Sequence, residues 1–490
     1  MNRPIRIMAI FCLLLFLALL VNSTYLQYFE ASALNSRNGN RRVQDAEFSR
    51  KRGAILVAGR QVAESVPSHD QYQYLRTYPK GPEYAQLTGY YSYLYGRNAV
   101  ELTENNILSG NDPRLFVNRL VDLFKQNSTK TGSVTLTIDP KAQQAAVQGL
   151  RATHLGPKTE GAVVALQPST GKILAMASSP TYDPNRLASH NFSATTKAWN
   201  QLNTNPRQPL LNRAIQETEP PGSSFKLVTA AAALSSGQYT PSTIVKAGAT
   251  LHIPTMSQPL TNENGTDCGG SRITLTQALE VSCNVSFGSI GLHIGQDAIR
   301  TQAQKFGFGQ TYLTDLNGQV PSNFPKHLDQ PQTALSAIGQ FDVRATPLQM
   351  AMVASAIANG GTLMRPYLVD EVRAPDLSVL DKTTPEPLHN NVISASVAHQ
   401  LTTMMVGVVD VGTGTTARIP GIKVAGKTGT AQSAKSRPPF AWFVSFAPAD
   451  NPQVAVAVLI EDAGVARNAI SGSGLAAPIA KNVMEAVIHP

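Results

Sequence analysis

Cysteine and charge are both scarce in this sequence. Its 490 residues include three cysteines and only 15% charged residues, and no CxxC pair or Cys/His cluster occurs. The common cysteine-ligated metal centres are therefore excluded. The sequence also lacks internal repeats and low-complexity tracts, so nothing in it suggests a solenoid or a disordered chain. The length and the 42% hydrophobic content fit two or three folded domains instead.

Acidic residues are missing from the N-terminus until Glu30. Arg3 and Arg6 precede an unbroken apolar run, Ile7–Val21, which aromatic residues extend to Tyr28. About 20 apolar residues suffice to cross a bilayer, and flanking basic residues favour its cytoplasmic side. A cleaved signal peptide is the alternative, but no A-x-A pattern follows the run. We therefore predict an uncleaved, single-pass membrane anchor with a cytoplasmic N-terminus.

Two predicted hairpins bracket the larger, C-terminal part of the chain. The first joins the apolar runs Ala162–Leu166 and Ile173–Ala177, and the second joins Ala441–Phe446 and Val454–Ile460. Turn-forming residues separate the two runs in each pair. The sequence between the hairpins is mostly helical. We therefore predict an α+β domain in which both ends share one antiparallel sheet flanked by helices.

The region between the anchor and the first hairpin is rich in tyrosine and carries no catalytic pattern. Its aromatic residues are core residues by default, with a docking face for a partner as the alternative. We predict a cytoplasmic tip and anchor at residues 1–28, a small non-catalytic domain at residues 29–145, and the catalytic domain at residues 146–490.

The first pattern that carries chemistry is the loop sequence PPGSSFK at residues 220–226, followed by a predicted helix from Phe225 to Ser236. Helical residues i and i+3 share a face, so Lys226 is expected beside Ser223. A desolvated lysine can be neutral enough to take a serine proton. A helix N-terminus also offers backbone N–H groups to a developing oxyanion. The pattern predicts Ser223 as a nucleophile and Lys226 as its base.

Two further short motifs follow. The Ser-Cys-Asn motif at residues 282–284 supplies a hydroxyl that can relay a proton and an amide that can hold a peptide group. The Lys-Thr-Gly-Thr motif at residues 427–430 supplies a cation, two hydroxyls that can bind a carboxylate, and a glycine that lets a substrate backbone approach. The candidate site comprises catalytic Ser223, Lys226, Ser282 and Lys427, and substrate-binding Asn284, Thr428, Gly429 and Thr430.

Each motif alone is a weak signal, because copies occur elsewhere. Residues 169–172 are also S-x-x-K, residues 36–38 and 189–191 are also S-x-N, and residues 130–132 are also K-T-G. Only the motifs that contain Ser223, Ser282 and Lys427 combine the expected order, suitable secondary-structure elements and separations that fit one domain.

Together the motifs resemble those of the class B penicillin-binding proteins, the peptidoglycan D,D-transpeptidases. The resemblance continues through residues 161–185, 212–214, 346–349, 358–361 and 425–432, and residues 52–55 and 95–97 with Glu101 look like the family's N-terminal pedestal. The short pedestal and the lack of a C-terminal appendage are similar to the actinobacterial cell-division members. Two departures occur. Gln340-Phe341-Asp342 replaces the usual glycine after the glutamine, and Gly59-Arg60-Gln61 replaces the pedestal's acidic-Arg-Asn-Gly sequence.

The resemblance implies a penicillin-binding transpeptidase or serine β-lactamase-like fold, and an acyl-enzyme on Ser223. Ser223 would attack the penultimate D-alanine carbonyl of a stem peptide while Lys226 takes its proton. Ser282 and Lys427 would pass a proton to the leaving D-alanine. The side-chain amine of a second stem peptide would then form the cross-link, and β-lactams would leave the serine acylated.

The resemblance also implies how the donor is held. The backbone N–H groups of Ser223 and Thr430 would form the oxyanion hole. Asn284 would orient the donor peptide, and Thr428 with Thr430 would bind its terminal carboxylate.

The implied partners are stem peptides and their lipid-linked precursor, covalently bound β-lactams, the membrane, a polytopic peptidoglycan glycosyltransferase and other divisome proteins. No cofactor, metal or nucleic acid is implied. The catalytic domain is expected outside the cytoplasm. In that oxidising compartment we predict a disulfide between Cys268 and Cys283, with two free thiols as the alternative.

Three alternative functions are compatible with these motifs. A β-lactamase would hydrolyse the acyl-enzyme rapidly, and a penicillin-sensing receptor would not cross-link peptides. A cell-division scaffold with an inactive site would not depend on Ser223. The anchor and the N-terminal domain argue against the first pair, and the intact motifs argue against the scaffold.

Overall fold

The computed structural model describes residues 2–30, 41–115, 131–152, 159–263, 265–433 and 437–489. The S-x-N copy at residues 36–38 and Lys130 of the K-T-G copy lie outside these residues. The chain divides into two compact units. One comprises Met1–Lys51 with Val66–Leu75, and the other comprises Arg52–Ser65 with Arg76–Pro490.

The elements are numbered here in chain order. The strands are β1 (Ile55–Val57), β2 (Arg60–Pro67), β3 (Tyr74–Thr77), β4 (Tyr91–Ser92), β5 (Gly96–Arg97), β6 (Ser133–Leu136), β7 (Glu160–Leu166), β8 (Ile173–Ser179), β9 (Ile244–Lys246), β10 (Thr250–Leu251), β11 (Leu260–Thr261), β12 (Arg272–Thr274), β13 (Leu363–Met364), β14 (Val369–Arg373), β15 (Val379–Lys382), β16 (Pro387–His389), β17 (Ala425–Ala431), β18 (Phe440–Ala447) and β19 (Val454–Asp462). The α-helices are α1 (Asn2–Thr24), α2 (Arg41–Phe48), α3 (Gly81–Thr88), α4 (Ala99–Thr103), α5 (Asn105–Leu108), α6 (Pro140–Gly149), α7 (Asn185–Ala188), α8 (Phe192–Asn203), α9 (Arg213–Gln216), α10 (Lys226–Ser235), α11 (Leu275–Glu280), α12 (Asn284–Ile294), α13 (Gln296–Lys305), α14 (Gln330–Ala337), α15 (Pro347–Ala358), α16 (Ala395–Asp410) and α17 (Ala477–Ile488).

The smaller unit contains the apolar N-terminal helix. Helix α1 continues into a π-helical turn, Tyr25–Phe29, and its large apolar side chains are exposed. Within the described residues, Arg3–Phe29 is long and apolar enough to cross a membrane. The predicted apolar helix of membrane-spanning length is therefore confirmed. Helix α2 of the same unit packs Phe48 edge-on against Tyr72, with ring centroids 6.2 Å apart.

One sheet has six strands in the order β15-β14-β6-β1-β2-β3, and most of its residues belong to the larger unit. Strand β1 runs parallel to β6 and antiparallel to β2. Strands β14 and β15 reach this sheet from far downstream in the chain, and β14 pairs antiparallel with β6. The sheet is thus built from three separate stretches of sequence, residues 55–77, 133–136 and 369–382.

Glu101 is the centre of a buried ion cluster beside this sheet. Its carboxylate accepts hydrogen bonds from Arg52 Nε at 2.6 Å, Arg76 Nε at 2.7 Å and the Tyr78 hydroxyl at 3.0 Å. All four side chains are buried. Burial alone would raise the pKa of Glu101, but Arg76 and Arg52 hold it below its usual value. The cluster is therefore an ionised carboxylate between two guanidinium groups.

The larger unit is organised around a five-stranded antiparallel sheet, in the order β17-β18-β19-β7-β8. Its hairpins, β7–β8 and β18–β19, are the two predicted from the sequence, and β19 pairs with β7. Apolar side chains alternate between the two faces. Helices α6 and α17 cover one face and α15 covers the other. The predicted α+β fold, with both ends of the domain in one sheet, is confirmed.

Candidate active site

Ser223 lies in a 3-10 turn, Gly222–Phe225, that leads directly into helix α10. The α-helix was predicted from Phe225 and begins one residue later. Gly222 has a φ of +52°, and a methyl group there would lie 2.8 Å from the Thr430 carbonyl oxygen. Glycine is therefore required for the turn to lie against β17. The Trp442 indole N–H also fixes this turn by donating to the Pro220 carbonyl at 2.9 Å.

Lys226 is fully buried one helical turn after the serine. Its Nζ donates to the Ser282 carbonyl oxygen and to Asn284 Oδ1, each at 2.7 Å, and lies 3.3 Å from Ser282 Oγ. The Ser223 hydroxyl is partly exposed and has no hydrogen-bond partner within the part of the chain that the structure describes. Lys226 is thus held by the second motif, three residues after the serine in the chain.

Ser282 links the two lysines. Lys427 Nζ donates to Ser282 Oγ at 2.9 Å and to the Thr428 carbonyl at 3.0 Å, and it is fully buried. Ser282 sits between α11 and α12 with a φ of +60°, a left-handed conformation that costs a non-glycine residue energy. This conformation places the hydroxyl between the two amines.

Burial controls the charge on both amines. Burial and then the charge of Lys427 lower the pKa of Lys226 well below its usual value. Burial lowers the pKa of Lys427 to about 7, and Glu263 opposes this shift. Both shifts favour the neutral amines more than in water, and Lys427 titrates at about pH 7.

Strand β17 carries the third motif along the edge of the sheet, next to the serine turn. A methyl group on Gly429 would lie 2.8 Å from the Pro221 carbonyl oxygen and 3.1 Å from the Ser224 nitrogen. The structure thus gives this glycine a packing role, in that it lets the strand lie against the serine turn.

Thr413 is a site residue that the sequence analysis missed. Its hydroxyl shares a 2.6 Å hydrogen bond with that of Thr428, and its backbone N–H donates to the Glu280 carbonyl at 3.1 Å. It thereby ties the segment before Ser282 to the third motif. The only sequence signal is a threonine between two glycines directly after a helix.

A cavity of about 380 Å³ opens at the serine. Strand β11 contributes to its wall, and Asn284 Nδ2 donates to the Thr261 carbonyl at 3.0 Å. The lining residues are Ser223, Leu260, Thr261, Asn262, Glu263, Asn284, Leu335, Ile338, Gln340, Phe341, Thr430 and Gln432. The cavity wall therefore combines polar residues with four apolar ones, Leu260, Leu335, Ile338 and Phe341.

Cys268 and Cys283 form a disulfide in the structure, with Cα atoms 5.8 Å apart. Cys283 precedes α12 within the second motif. Asn262, which lies six residues before Cys268 and lines the cavity, accepts a hydrogen bond from the Val285 N–H at 3.1 Å. The loop that lines the cavity is thus fixed to the start of α12.

The remaining motif copies have other roles. Lys172 of the hairpin turn pairs with Asp370 at 2.9 Å. Asn191 accepts from the Ala194 N–H at 3.1 Å and caps α8, and Ser189 accepts from the Asn191 N–H. None of these residues lines the cavity.

Within the described residues, one group of acids is close enough to hold a metal: Glu217, Glu219 and Glu461. Arg213 Nε lies 3.3 Å from Glu217 and 3.4 Å from Glu461, and Arg437 pairs with Glu219 at 3.3 Å. Burial and then the charge of Glu217 raise the pKa of Glu461 to about 8. Two guanidinium groups and the raised pKa of Glu461 therefore limit the negative charge of this cluster, and we assign it no metal.

Known proteins resemble the chain along its whole length. Residues 161–485 match the penicillin-binding protein transpeptidase domain, and residues 52–134 match the penicillin-binding protein A dimerisation domain. The peptidoglycan D,D-transpeptidase PbpA of Mycolicibacterium smegmatis is 42% identical over 493 residues, which cover 100% of this chain and 99% of the relative. A ceftriaxone acyl-enzyme complex of penicillin-binding protein A from M. tuberculosis has a TM-score of 0.87 and 42% identity, over 91% of this chain and 100% of that one. The imipenem acyl-enzyme complex of the same protein has a TM-score of 0.85 and 43% identity, over 90% of this chain and 100% of that one.

Proposed function

The chain belongs to the penicillin-binding protein transpeptidase family, and on that premise we propose that it cross-links peptidoglycan stem peptides through an acyl-enzyme on Ser223. It is a serine-type D,D-transpeptidase of cell-wall synthesis. The observation that carries the assignment of roles is the Ser282 hydroxyl, which lies within hydrogen-bonding distance of two buried lysines, one of them three residues after Ser223.

Lys226 is the base in this proposal. A neutral amine has two hydrogens and one lone pair, and two hydrogen bonds at 2.7 Å already engage both hydrogens. The lone pair is then left to accept a proton from a neighbouring hydroxyl. As Ser223 Oγ bonds to the donor's penultimate D-alanine carbonyl carbon, its proton passes to Lys226.

The leaving D-alanine needs a proton on its nitrogen when the peptide bond breaks. Ser282 can donate its hydroxyl proton there and recover one from a lysine that contacts its oxygen. Lys427, at 2.9 Å and with a pKa of about 7, is suited to this relay. The Ser223 and Thr430 backbone N–H groups are proposed as the oxyanion hole.

Cross-linking completes the reaction. The side-chain amine of a second stem peptide attacks the acyl carbon, loses a proton to the relay, and displaces Ser223, whose oxygen takes back its proton from Lys226. Thr428 and Thr430 are proposed to bind the donor carboxylate, and Asn284 is proposed to orient the donor peptide. Gly429 is proposed to let the donor backbone approach strand β17 closely. β-Lactams mimic the donor, in keeping with the acyl-enzyme complexes of the related structures.

The cellular setting is part of the proposal. Helix α1 spans the membrane with Arg3 and Arg6 in the cytoplasm, so that the catalytic unit meets its substrate outside. We place the tip and anchor at residues 1–28, the pedestal at 29–145 and the catalytic domain at 146–490. The proposed partners are lipid-linked precursor, a polytopic glycosyltransferase and other cell-division proteins.

Incubation of the full chain in detergent with a stem pentapeptide donor and an amine acceptor tests the proposal. We expect cross-linked product and free D-alanine, both abolished by Ser223→Ala. Ser169→Ala, in the motif copy at the hairpin turn, is the matched control and is expected to keep full activity. D-alanine release without any cross-linked product would contradict the transpeptidase assignment, and activity in Ser223→Ala would contradict the nucleophile.

A further inference from the structure

Phe341 adopts a backbone conformation that phenylalanine seldom takes. Its φ is +59°, and it is the first central residue of a turn that the Val343 N–H closes on the Gln340 carbonyl at 3.4 Å. The next residue, Asp342, does not have a positive φ. This is the pattern of a type II′ turn, in which glycine dominates at the first central position. A bulky side chain there is strained, and such strain concentrates at functional sites.

The turn is held in place next to the nucleophile. The Gly222 N–H, directly before Ser223, donates to the Gly339 carbonyl at 2.9 Å. At the other end, Arg344 Nη1 donates to the Phe341 carbonyl at 2.8 Å. These hydrogen bonds hold the strained turn in place, so that the Phe341 ring has a defined position relative to the serine.

Core packing does not account for this phenylalanine, because its side chain remains 37% exposed. It lines the same cavity as Ser223, with Leu260, Leu335 and Ile338 as the other apolar wall residues. The donor carboxylate is proposed to lie at Thr428 and Thr430. Thr430 is a wall residue of this cavity, so a donor bound there leaves the part with the apolar side chains open to its acyl chain.

We propose that Phe341 is a specificity-determining residue that binds the apolar side chain on the acyl side of the donor. In a stem peptide this group is the aliphatic part of the residue before the D-alanine pair. In a penicillin it is the apolar acylamino side chain. The inference rests on the proposed transpeptidase function and adds one substrate contact to it.

Acylation of the full chain in detergent by two penicillin probes tests this inference. Benzylpenicillin carries an apolar phenylacetyl group, and 6-aminopenicillanic acid carries none. Phe341→Gly is expected to slow acylation by benzylpenicillin about 10-fold or more, as the loss of an apolar contact in a pocket does. Its acylation by 6-aminopenicillanic acid is expected to stay at the wild-type rate, and Phe341→Leu is expected to restore part of the benzylpenicillin rate.

The matched control is Leu377→Gly. Leu377 also has a positive φ, +70°, and its side chain is 68% exposed in the turn between β14 and β15, outside the cavity. Both glycine variants relieve backbone strain, so neither is expected to lower the melting temperature. Only Phe341→Gly is expected to change the ratio of the two acylation rates.

An unchanged ratio in Phe341→Gly would overturn the inference, and so would an equal loss with both probes, which would indicate a disturbed serine turn. A wild-type protein that reacts with neither probe would refute the proposed function, and this inference with it.

Discussion

Two substitutions of Ser282 distinguish the catalytic role of its hydroxyl from the strain in its backbone. Ser282→Ala removes the oxygen that Lys427 Nζ contacts at 2.9 Å and Lys226 Nζ at 3.3 Å. Lys226 keeps its two 2.7 Å hydrogen bonds to the Ser282 carbonyl and Asn284, so the base stays in place. The proton relay alone is lost. General acid–base steps contribute about 10²–10⁴ in rate, and we expect acylation to fall by that amount.

Ser282→Gly makes the prediction sharper, because it also removes the hydroxyl. Acylation should therefore fall equally in both variants. With φ at +60°, however, glycine avoids the left-handed penalty of roughly 1–2 kcal/mol that alanine retains. The glycine variant should consequently have the higher free energy of unfolding, by about that amount.

Two assays check these expectations. The second-order rate of labelling by a fluorescent penicillin gives the acylation step, and denaturant unfolding gives the stability difference. An acylation loss in Ser282→Ala of roughly tenfold or less, the value of one ordinary hydrogen bond, would refute the relay. Equal stability of the alanine and glycine variants would refute the strain argument.

Further predictions concern the pedestal, the pH profile and the disulfide. Glu101→Gln should lower the free energy of unfolding by about 3–5 kcal/mol, because two buried guanidinium groups lose their counter-charge. Glu386→Gln, which breaks an exposed pair with an arginine, should change it by less than about 1 kcal/mol in the same denaturant titration. The acylation rate should fall as pH rises through about 7, because the buried Lys427 then loses the proton that the relay needs; a rate that keeps rising to pH 9 would contradict this. A non-reducing peptide map should show Cys268 linked to Cys283, and reduction of this bond, which closes a loop with a sequence separation of 15, should cost about 3 kcal/mol in stability.

Local signals in the sequence were sufficient for several elements. Alternating apolar residues on either side of turn residues identified both hairpins of the catalytic sheet, and they appear as β7–β8 and β18–β19. The Asp139-Pro140 pair is a local helix-capping pattern at the start of α6, where the Asp139 side chain accepts from the Lys141 and Ala142 N–H groups at 2.8 Å. Such features depend on neighbouring residues only, so a single sequence reveals them.

Long-range pairings left no comparable signal. Strand β14 joins the six-stranded sheet across more than two hundred residues, and its own sequence does not specify that partner. The sequence alone does not indicate the roles of Arg76 and Tyr78, because both donate to the buried carboxylate of Glu101, and that contact exists only in the folded chain. The departure at Gln340-Phe341-Asp342 was evident in the sequence, but its meaning depends on a backbone angle.

The central claim is that the three motifs converge to make Ser223 the nucleophile. Digestion of the full chain after brief exposure to benzylpenicillin, followed by tandem mass spectrometry, tests it most directly. We predict a single stable acyl adduct on Ser223, absent from Ser223→Ala and strongly reduced in Lys226→Met. An adduct on another residue, or undiminished labelling of Ser223→Ala, would contradict the account.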